Sequence, residues 1–266
     1  MKDKKNDIIS IKKPKSKNPY LWKYYDLHRF IYLLTNQKIF FTRLDNLDDP
    51  FEGLSTKFLR DNHKNAKSEA ELDHLYSLNK ESKEEFEKLK EFNKVINSHM
   101  TSVSQTKQYV SCWFNSDRES MAMWNLYSNQ DSVAIKVNFE ILRTCITESF
   151  ADLAKQNENK ISIIGDEIKY LKLNPFDENL KMQSLNYSAL KKDESYSYEN
   201  EYRFLIISND NELKPNFFSV PINLEKLEMT ILTHPKMENW KFDNLNELLK
   251  LTNQKIKLIK SPIVLK

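Results

Sequence analysis

The sequence contains very little glycine, because Gly53 and Gly165 are the only two among its 266 residues. Two glycines cannot build the G-x-G-x-x-G turn of a dinucleotide site or the glycine-rich loop of P-loop proteins, so both motifs are excluded. Cysteine is equally scarce, with Cys112 and Cys145 as the only two. A disulfide scaffold and a four-thiolate zinc site are therefore excluded as well.

A strong charge of one sign and long apolar runs are also absent. The 41 Lys and Arg residues nearly balance the 38 Asp and Glu residues, and the formal charge of +3 does not indicate a nucleic-acid partner. No apolar run reaches the ~20 residues that a membrane-spanning helix needs, and the first residues form no hydrophobic signal core. We therefore expect a cytoplasmic protein without a membrane partner, and nothing in the sequence indicates an oligomeric state.

The composition is that of a folded protein, with 39% hydrophobic, 12% aromatic and 30% charged residues. Short strand-like runs and helical periodicities alternate irregularly along the chain. Asp26, for example, precedes apolar residues at helical spacing and is predicted to cap a helix, whereas residues 202–207 indicate a buried strand. This mixture predicts an α+β fold, with one mixed domain, a central and mostly antiparallel sheet, and flanking helices.

Two charged segments are predicted to lie outside the core of that domain. Residues 1–19 carry seven lysines and two prolines, which predicts a flexible basic tail in front of a domain that spans residues 20–266. Residues 54–105 are highly charged and show only a narrow apolar stripe at helical spacing. This pattern predicts a charged helical insertion that lies over the core.

The first candidate site is the run DDPFEG at residues 48–53, which follows Arg43. Several carboxylates within a short turn can bind a cation, hold an arginine or take part in acid–base chemistry. The same residue types also stabilise turns without any catalytic role, because Asp side chains bond to their own backbone. Glu52 and Asp49 are the better functional candidates in this loop, and Arg43 is a candidate ligand-binding cation.

The second candidate site is a group of aromatic residues. Trp113 follows Cys112 on a predicted strand, Trp124 lies on the next predicted helix, and Lys23 and Tyr24 lie on an earlier strand. Aromatic rings can stack on a nucleobase or a nicotinamide, although aromatic residues at helical spacing are core residues in most proteins. Cys112 would need a neighbour that lowers its pKa to act as a nucleophile. Because no histidine is close in sequence, we interpret Cys112 as a buried thiol.

The strongest candidate is the Glu-x-Glu-x-Arg row that leads into the buried strand at residues 202–207. Alternate residues of a strand face the same side, so Glu199, Glu201 and Arg203 are expected to share a face. Such a row forms either an ion-pair ladder or a carboxylate site held by an arginine. We predict that Glu201 is the catalytic or ligand-orienting carboxylate, that Arg203 orients it, and that Glu52 completes the catalytic set.

Three blocks of the sequence resemble, in order and spacing, the domain-of-unknown-function family 2971. The blocks are LWKYYDLHRFIYLLTNQKIFFTRLDNLDDPFEG, YVSCWFNSDRESMAMWNLYSNQDSVAIKV and YENEYRFLI. They cover the chain from about residue 21 to residue 210, and Asp48 stands where the family usually has Asn. The resemblance implies a bacterial cytoplasmic protein. Some members of the family are encoded in mobile or phage-defence neighbourhoods, but the resemblance implies no particular reaction.

The order of the candidates is also similar to that of ADP-ribosyltransferase-like folds, which need no glycine-rich loop. Lys23-Tyr24, then Ser111-Cys112-Trp113, then Glu201 follow one another in such an order, although neither an early-strand His nor a Ser-Thr-Ser segment is present. In those folds a late glutamate stabilises the oxocarbenium character of the ribose as nicotinamide leaves. The analogy predicts NAD-dependent ADP-ribosyl transfer or NAD hydrolysis in a phage-defence or toxin-type effector. Its nucleotide cleft would be lined by Lys23, Tyr24, Trp113, Trp124 and Arg43.

Two other functions are compatible with the same residues. A non-catalytic module would bind a nucleotide or a partner protein in the aromatic cleft, with the charged insertion as its docking face. A metal-dependent nuclease would hold Mg²⁺ through Glu52, Glu199 and Glu201 beside Lys192, although the usual Asp followed by Glu-x-Lys is not visible and no metal site is predicted. Metal dependence would identify the nuclease, and a ligand that is unchanged after incubation would identify the binding module.

Overall fold

The computed structural model describes residues 8–47, 49, 52–53, 105–171, 188–210, 215–252 and 256–264. The strands are β1 Ile9–Ile11, β2 Tyr20–Tyr25, β3 Lys38–Arg43, β4 Gln108–Asn115, β5 Val133–Asn138, β6 Ile161–Glu167, β7 Lys169–Leu171, β8 Lys191–Asp193, β9 Glu201–Ser208, β10 Phe217–Pro221, β11 Thr230–Thr233 and β12 Lys257–Lys260. The helices are α1 Leu27–Asn36, α2 Met121–Tyr127, α3 Phe139–Gln156, α4 Leu224–Leu227 and α5 Asn239–Leu251. The predicted helical insertion, residues 54–105, lies outside the described residues apart from Gln105.

Ten of these strands form one mixed sheet, with the main order β1-β6-β9-β4-β2-β5-β11-β12, while β3 pairs with β4 and β10. Strands β7 and β8 form a separate two-stranded sheet. The pairs within the large sheet are antiparallel except at the two ends of the main order, where β1–β6 and β11–β12 are parallel. The predicted α+β fold with a mostly antiparallel sheet is confirmed. Among the helices described here, none is long and apolar enough to cross a membrane.

The helices begin at residues whose side chains cap them. Asp26 accepts a hydrogen bond from the backbone N–H of Arg29 at 2.8 Å, which confirms the predicted start of α1. Ser120 caps α2 and Asn138 caps α3 in the same way. Such caps satisfy backbone donors that a helix leaves unpaired at its first turn. Because Ser120 caps α2, only five residues lie between the end of β4 and the helix, and the last residue of α2, Tyr127, lies at the site described below.

The central strands β4 and β9 separate two environments. Tyr202 and Phe204 of β9 lie in the large apolar core, together with Trp113 of β4 and the buried side of α3. Glu201 and Arg203 alternate with them along β9 and are also buried. Because successive side chains of a strand point to opposite faces, β9 contributes apolar residues to one face and charged residues to the other.

The beginning of the described chain differs from the prediction of a flexible tail over residues 1–19. Residues 9–11 form β1, which pairs in parallel with residues 163–165 of β6. The isoleucines of this Ile-Ser-Ile run pack against the large core. The edge of the sheet therefore binds a segment that was predicted, from its lysines, to be exposed to solvent. Gly165 permits the approach, because a Cβ at that position would lie 2.7 Å from Ile11.

Candidate active site

Five charged side chains meet on the face of the sheet opposite the large core. They come from the loop before residue 54, from β8, from the turn before β9 and from β9 itself, and none is more than 8% exposed. We call them the ionic cluster: Glu52, Lys192, Glu199, Glu201 and Arg203. Buried charges are costly unless they are paired and hydrogen-bonded, so the contacts inside the cluster determine its properties.

Arg203 holds two of the three carboxylates. Its Nε donates to Oε2 of Glu201 at 2.5 Å, and its Nη1 donates to Oε1 of Glu52. Nη1 also donates to the carbonyl of Ala189 at 2.8 Å. Burial alone would lower the pKa of Arg203, but the negative charges around it, including those of Glu201 and Glu52, raise it. Arg203 is therefore a permanent cation that orients Glu201, which is the geometry expected from the sequence.

Lys192 lies between all three carboxylates. Its Nζ is 2.6 Å from Oε2 of Glu199, 3.3 Å from Oε1 of Glu201 and 3.9 Å from Oε2 of Glu52. Burial alone would lower the pKa of Lys192, but the charges of Glu201 and Glu52 raise it. The ammonium group thus lies where the three carboxylates converge. Across the part of the chain that the structure describes, no group of three His, Cys, Asp or Glu side chains could hold a metal ion.

Glu199 and Glu201 differ in charge although their carboxyl groups share a hydrogen bond. Burial raises the pKa of Glu199 to about 7, and the hydrogen bond and charge of Glu201 add to that effect. Burial would also raise the pKa of Glu201, but Arg203, Glu199 and Lys192 together hold it well below its usual range. Glu199 therefore gains or loses its proton near neutral pH, while Glu201 stays ionised. Neighbouring carboxyl groups with pKa values pushed apart are typical of an acid–base pair.

Tyrosines cover the cluster on its solvent side. Tyr127, the last residue of α2, is 46% exposed and donates its hydroxyl hydrogen bond to Oε1 of Glu199. Tyr196 places its ring 4.5 Å from Nζ of Lys192. Tyr198 is 44% exposed, with its ring centroid 6.5 Å from that of Tyr196. Tyr127 and Tyr196 thus contact the cluster directly, and Tyr198 lies next to Tyr196.

The turn before β9 brings Glu199 into the cluster. Glu199 was predicted to lie on the strand, but it ends the 3₁₀ helix Glu194–Glu199. Asn200 then adopts the left-handed conformation with φ 36°, which asparagine tolerates better than most residues, and β9 begins at Glu201. Glu199 therefore joins Glu201 and Arg203 through a turn and through Lys192, and not through the strand parity on which the prediction was based.

A second turn supplies Glu52 from a distant part of the sequence. The Glu52 N–H donates to the carbonyl of Asp49 at 3.0 Å, and the Gln105 side chain donates to the carbonyl of Glu52 at 2.8 Å. Gly53 has φ 75°, and a Cβ there would lie 2.4 Å from Cδ1 of Leu44. Glycine is therefore required next to Glu52, and the turn fixes the direction in which Glu52 enters the cluster.

Tyr24 and Trp124 lie beside the cluster in a small apolar core. Their rings are edge-to-face with centroids 4.8 Å apart, and Trp124 is 0% exposed. The Trp124 Nε1 donates to Glu119 at 2.7 Å, and the Tyr24 hydroxyl accepts from the N–H of Ser120 at 3.0 Å. Trp124 therefore packs and bonds within the protein and presents no ring face to a ligand, in contrast to its predicted role in the nucleotide cleft.

The other predicted cleft residues lie away from the tyrosine-covered surface. Nζ of Lys23 donates to Oγ of Ser111 at 3.2 Å and lies 5.4 Å from the ring centroid of Trp113. Burial lowers the pKa of Lys23 to about 8. Trp113 belongs to the large core, and Arg43 pairs with Asp45 at 2.6 Å. The structure thus brings Glu52, Glu201 and Arg203 together, whereas Lys23 bonds to β4 and is reached by Glu201 only through its charge.

Cys112 was interpreted as a buried thiol, whereas the structure gives its side chain intermediate exposure. Burial raises the pKa of Cys112 to about 12, which outweighs the opposing charges of Arg203 and Lys23. A thiolate is therefore disfavoured at neutral pH, and Cys112 is a poor nucleophile in this environment.

Two residues of the site, Tyr170 and Tyr196, were not among the sequence candidates, and Glu199 and Lys192 were candidates but were left out of the predicted catalytic set. The Tyr-rich run before β9 was visible in the sequence, but helical spacing and strand parity do not show that its rings would lie over Lys192. The contribution of Tyr127 depends on the position of α2 relative to β9, and local sequence contains no signal for that position.

Two solved structures of DarT from Thermus sp. 2.9 show a distant likeness to this chain. The complex with ADP-ribosylated ssDNA is 6% identical, with 93% of this chain and 97% of that chain covered, at a TM-score of 0.36. The complex with carba-NAD+ is 8% identical, with 92% and 96% covered, at a TM-score of 0.33. These values assign no role to any residue of this chain. No curated protein matches the chain.

The family comparison covers parts of the second and third sequence blocks quoted above, and the first block lies outside it. The matched residues run from α2 through β9 and include Tyr127, Lys192, Glu199, Glu201 and Arg203, so most of the ionic cluster lies within them. Glu52 lies outside the match. Residues 123–204 match the model of the family described as "Protein of unknown function (DUF2971)", which confirms the resemblance to that family.

Proposed function

We propose that the ionic cluster is the active site of an enzyme that cleaves NAD and transfers its ADP-ribose to water or to an acceptor. The observation that carries this proposal is an ionised carboxylate, Glu201, in hydrogen-bond contact with a carboxyl group of raised pKa, Glu199, which also accepts a hydrogen bond from the partly exposed Tyr127. In a bacterial cytoplasm such an activity would suit a toxin-type or phage-defence effector, because it consumes a common cofactor.

The arrangement fits the demands of breaking an N-glycosidic bond. Positive charge develops on the ribose as the bond to nicotinamide lengthens, and a fixed carboxylate stabilises that charge. Glu201 would have this role, because Arg203 and Lys192 keep it ionised and oriented. The electron pair of the broken C1′–N bond leaves with neutral nicotinamide.

Glu199 would supply the acid–base step. When the oxygen of water or of an acceptor hydroxyl bonds to C1′, its proton has to be accepted by a base within hydrogen-bond reach. A carboxyl group with a pKa of about 7 can accept and release a proton near neutral pH. Tyr127 would orient Glu199 through the hydrogen bond to Oε1, and Glu52 would hold the second side of Arg203.

The position of Lys192 favours this chemistry over a metal-dependent nuclease. Glu52, Glu199 and Glu201, the carboxylates that a nuclease would use, already share the ammonium group of Lys192. A divalent cation would have to displace that ammonium, which also lies 4.5 Å from the ring centroid of Tyr196. The exposed rings of Tyr127 and Tyr198 would also suit a module that binds a nucleotide without changing it, so the test must distinguish binding from turnover.

The proposal is tested by incubating the full chain with NAD, in EDTA and in Mg²⁺, while free nicotinamide is followed by mass spectrometry. We expect nicotinamide release in EDTA, and its loss in a Glu201→Gln variant that has an unchanged melting temperature. Glu119→Gln is the matched control, because Glu119 is also a buried carboxylate but bonds to Trp124 and Ser261 instead. Intact NAD after incubation with the folded wild-type protein would contradict the proposal, and saturable NAD binding in that case would support the binding module.

A further inference from the structure

The separate sheet of β7 and β8 is attached to the ionic cluster. Each of its strands has three residues, and two short strands alone are marginally stable in water. Its register pairs Tyr170 with Lys192, and the side chains of both residues contact Glu201. The register of the small sheet therefore directs two side chains to one carboxylate residue.

Glu201 is held on its backbone as well as on its side chain. Its N–H donates to the hydroxyl of Tyr170 at 2.8 Å, and its carbonyl accepts from the N–H of Ile168 at 2.9 Å. Its Oε1 is 3.3 Å from Nζ of Lys192. The chain on both sides of the small sheet thus fixes the first residue of β9, where the strand would otherwise begin to fray.

We propose that Tyr170 and Lys192 are a positioning pair, in which Tyr170 fixes the backbone of Glu201 and Lys192 sets the number of protons that the three cluster carboxylates bind. Lys192 can do this because its ammonium lies within 3.9 Å of all three carboxylates. Without it, three carboxylates would face Arg203 as the one cation of the ionic cluster. Like charges at such distances cannot all remain ionised, so the carboxylates would bind protons at higher pH. The catalytic meaning of the pair rests on the proposed function, whereas its effect on proton binding does not.

Glu199 is the carboxyl group whose titration reports this effect. Glu201 and Lys192 contact it from the strands, and Tyr127 contacts it from α2. The charge of Glu199 also influences Tyr170 and Tyr196. Of these groups, Lys192 is the cation in contact with Glu199, so the loss of Lys192 should have the largest effect on the Glu199 titration.

The neighbouring residue of the same strand provides a matched control. Lys191 lies opposite Lys169 in the register of the small sheet, on the face that alternates with Lys192. Burial lowers the pKa of Lys191, and the charge of Lys169 lowers it further. Lys191→Met therefore makes the same chemical change one residue away, outside the ionic cluster.

The test is a titration of carboxyl ¹³C signals in the full chain labelled at glutamate, with Glu199→Gln used to assign the Glu199 signal. In the wild type we expect Glu199 to titrate near pH 7. Lys192→Met should move that midpoint upward by about one pH unit or more, since an adjacent opposite charge typically shifts a carboxyl pKa by one to three units. Lys192→Arg should restore most of the shift, and Lys191→Met should leave the midpoint unchanged. An unchanged midpoint in folded Lys192→Met, or an equal shift in Lys191→Met, would overturn the proposal.

Tyr170→Phe tests whether Tyr170 fixes the backbone of Glu201. This variant keeps the proposal testable if Lys192→Met does not fold. Removing the hydroxyl deletes the acceptor of the Glu201 N–H, so hydrogen exchange of that amide should become about tenfold faster, as expected for one lost hydrogen bond. Unchanged exchange would contradict the positioning role of Tyr170. Both measurements are made without NAD, so they can be interpreted even if the protein does not release nicotinamide. If nicotinamide release is found, its pH profile should shift upward in Lys192→Met and remain in place in Lys191→Met.

Discussion

The two faces of β4 and β9 are both buried, but they are stabilised by different interactions. On one face, Trp113, Tyr202 and Phe204 pack against α3, and the face is stabilised by the removal of apolar surface from water. On the other face, Glu201 and Arg203 are equally buried, and their main side-chain partners are charged groups, Glu52, Lys192 and one another. A core made only for stability does not need the second arrangement, because apolar replacements of buried ion pairs are often as stable or more so. The contrast therefore suggests that the charged face serves chemistry.

The comparison is sharpest for adjacent residues of β9. Arg203→Met should destabilise the protein by about 3–5 kcal/mol, because it leaves Glu52 and Glu201 buried without their main cation. Tyr202→Phe should cost only about 0.5–1.5 kcal/mol, the usual value of one hydrogen bond, since it loses the bond to the carbonyl of Lys12. Urea denaturation of both variants measures the difference. Equal costs would mean that the two faces do not differ in the way described.

Buried Lys192 and half-buried Lys23 extend the contrast from arginine to ammonium groups. Lys192 is surrounded by carboxylates that raise its pKa, so Lys192→Met should cost about 3 kcal/mol by leaving like charges together. Lys23 bonds to a hydroxyl and a carbonyl, and burial lowers its pKa to about 8. Lys23→Met should therefore change stability by less than about 1 kcal/mol, because the lost hydrogen bonds are offset by removal of a poorly solvated charge. Urea denaturation at pH 7 compares the two, and a larger loss for Lys23→Met would contradict this assignment of their environments.

Glu199 and Lys23 should make the free energy of unfolding depend on pH with opposite signs. The pKa of Glu199 is raised from 4.5 to about 7 on folding, so the folded state binds the extra proton, and this stabilisation is present below pH 4.5 and lost as the pH rises through 7. The pKa of Lys23 is lowered from 10.5 to about 8, so the folded state releases a proton first, and stability increases as the pH rises from 8 to 10.5. Each slope can reach about 1.4 kcal/mol per pH unit.

Variants isolate these two slopes from the other titrating groups. The difference in unfolding free energy between the wild type and Glu199→Gln should decrease between pH 5 and 7. The difference between the wild type and Lys23→Met should increase between pH 8 and 10. A flat difference curve for either variant would show that the corresponding side chain is as well solvated in the folded protein as in the unfolded chain.

Much of the fold could be predicted because its elements are determined locally. Asp26 and the apolar spacing after it indicated α1, and the apolar run at residues 202–207 indicated β9. The N-terminal strand could not be predicted, because three residues between lysines gain their order from the edge of β6, which is distant in sequence. The separate pairing of β7 with β8 has the same cause, since pairing partners are a property of the tertiary structure.

The carboxylates and the arginine of the candidate site could be predicted from the sequence, but the residues that contact them from other elements could not. Glu201 and Arg203 could be identified because strand parity places charged side chains on a buried strand, and Glu52 because turn residues surround it. The positions of Tyr127 and Lys192 follow from the packing of α2 and of the small sheet, which local patterns do not contain. Trp113 and Trp124 were assigned to a cleft although their rings pack inside the protein. An aromatic residue in a sequence indicates burial more reliably than it indicates a ligand.

The most direct test of the account compares neighbouring residues of β9 in one reaction. Nicotinamide release from NAD is measured for the wild type, Glu201→Gln and Tyr202→Phe, each at a temperature at least ten degrees below its own melting temperature. We expect Glu201→Gln to lose release while it remains folded, and Tyr202→Phe to retain it. Equal activity in Glu201→Gln and the wild type, or equal loss in both variants, would show that the charged face of β9 is structural, like the apolar face.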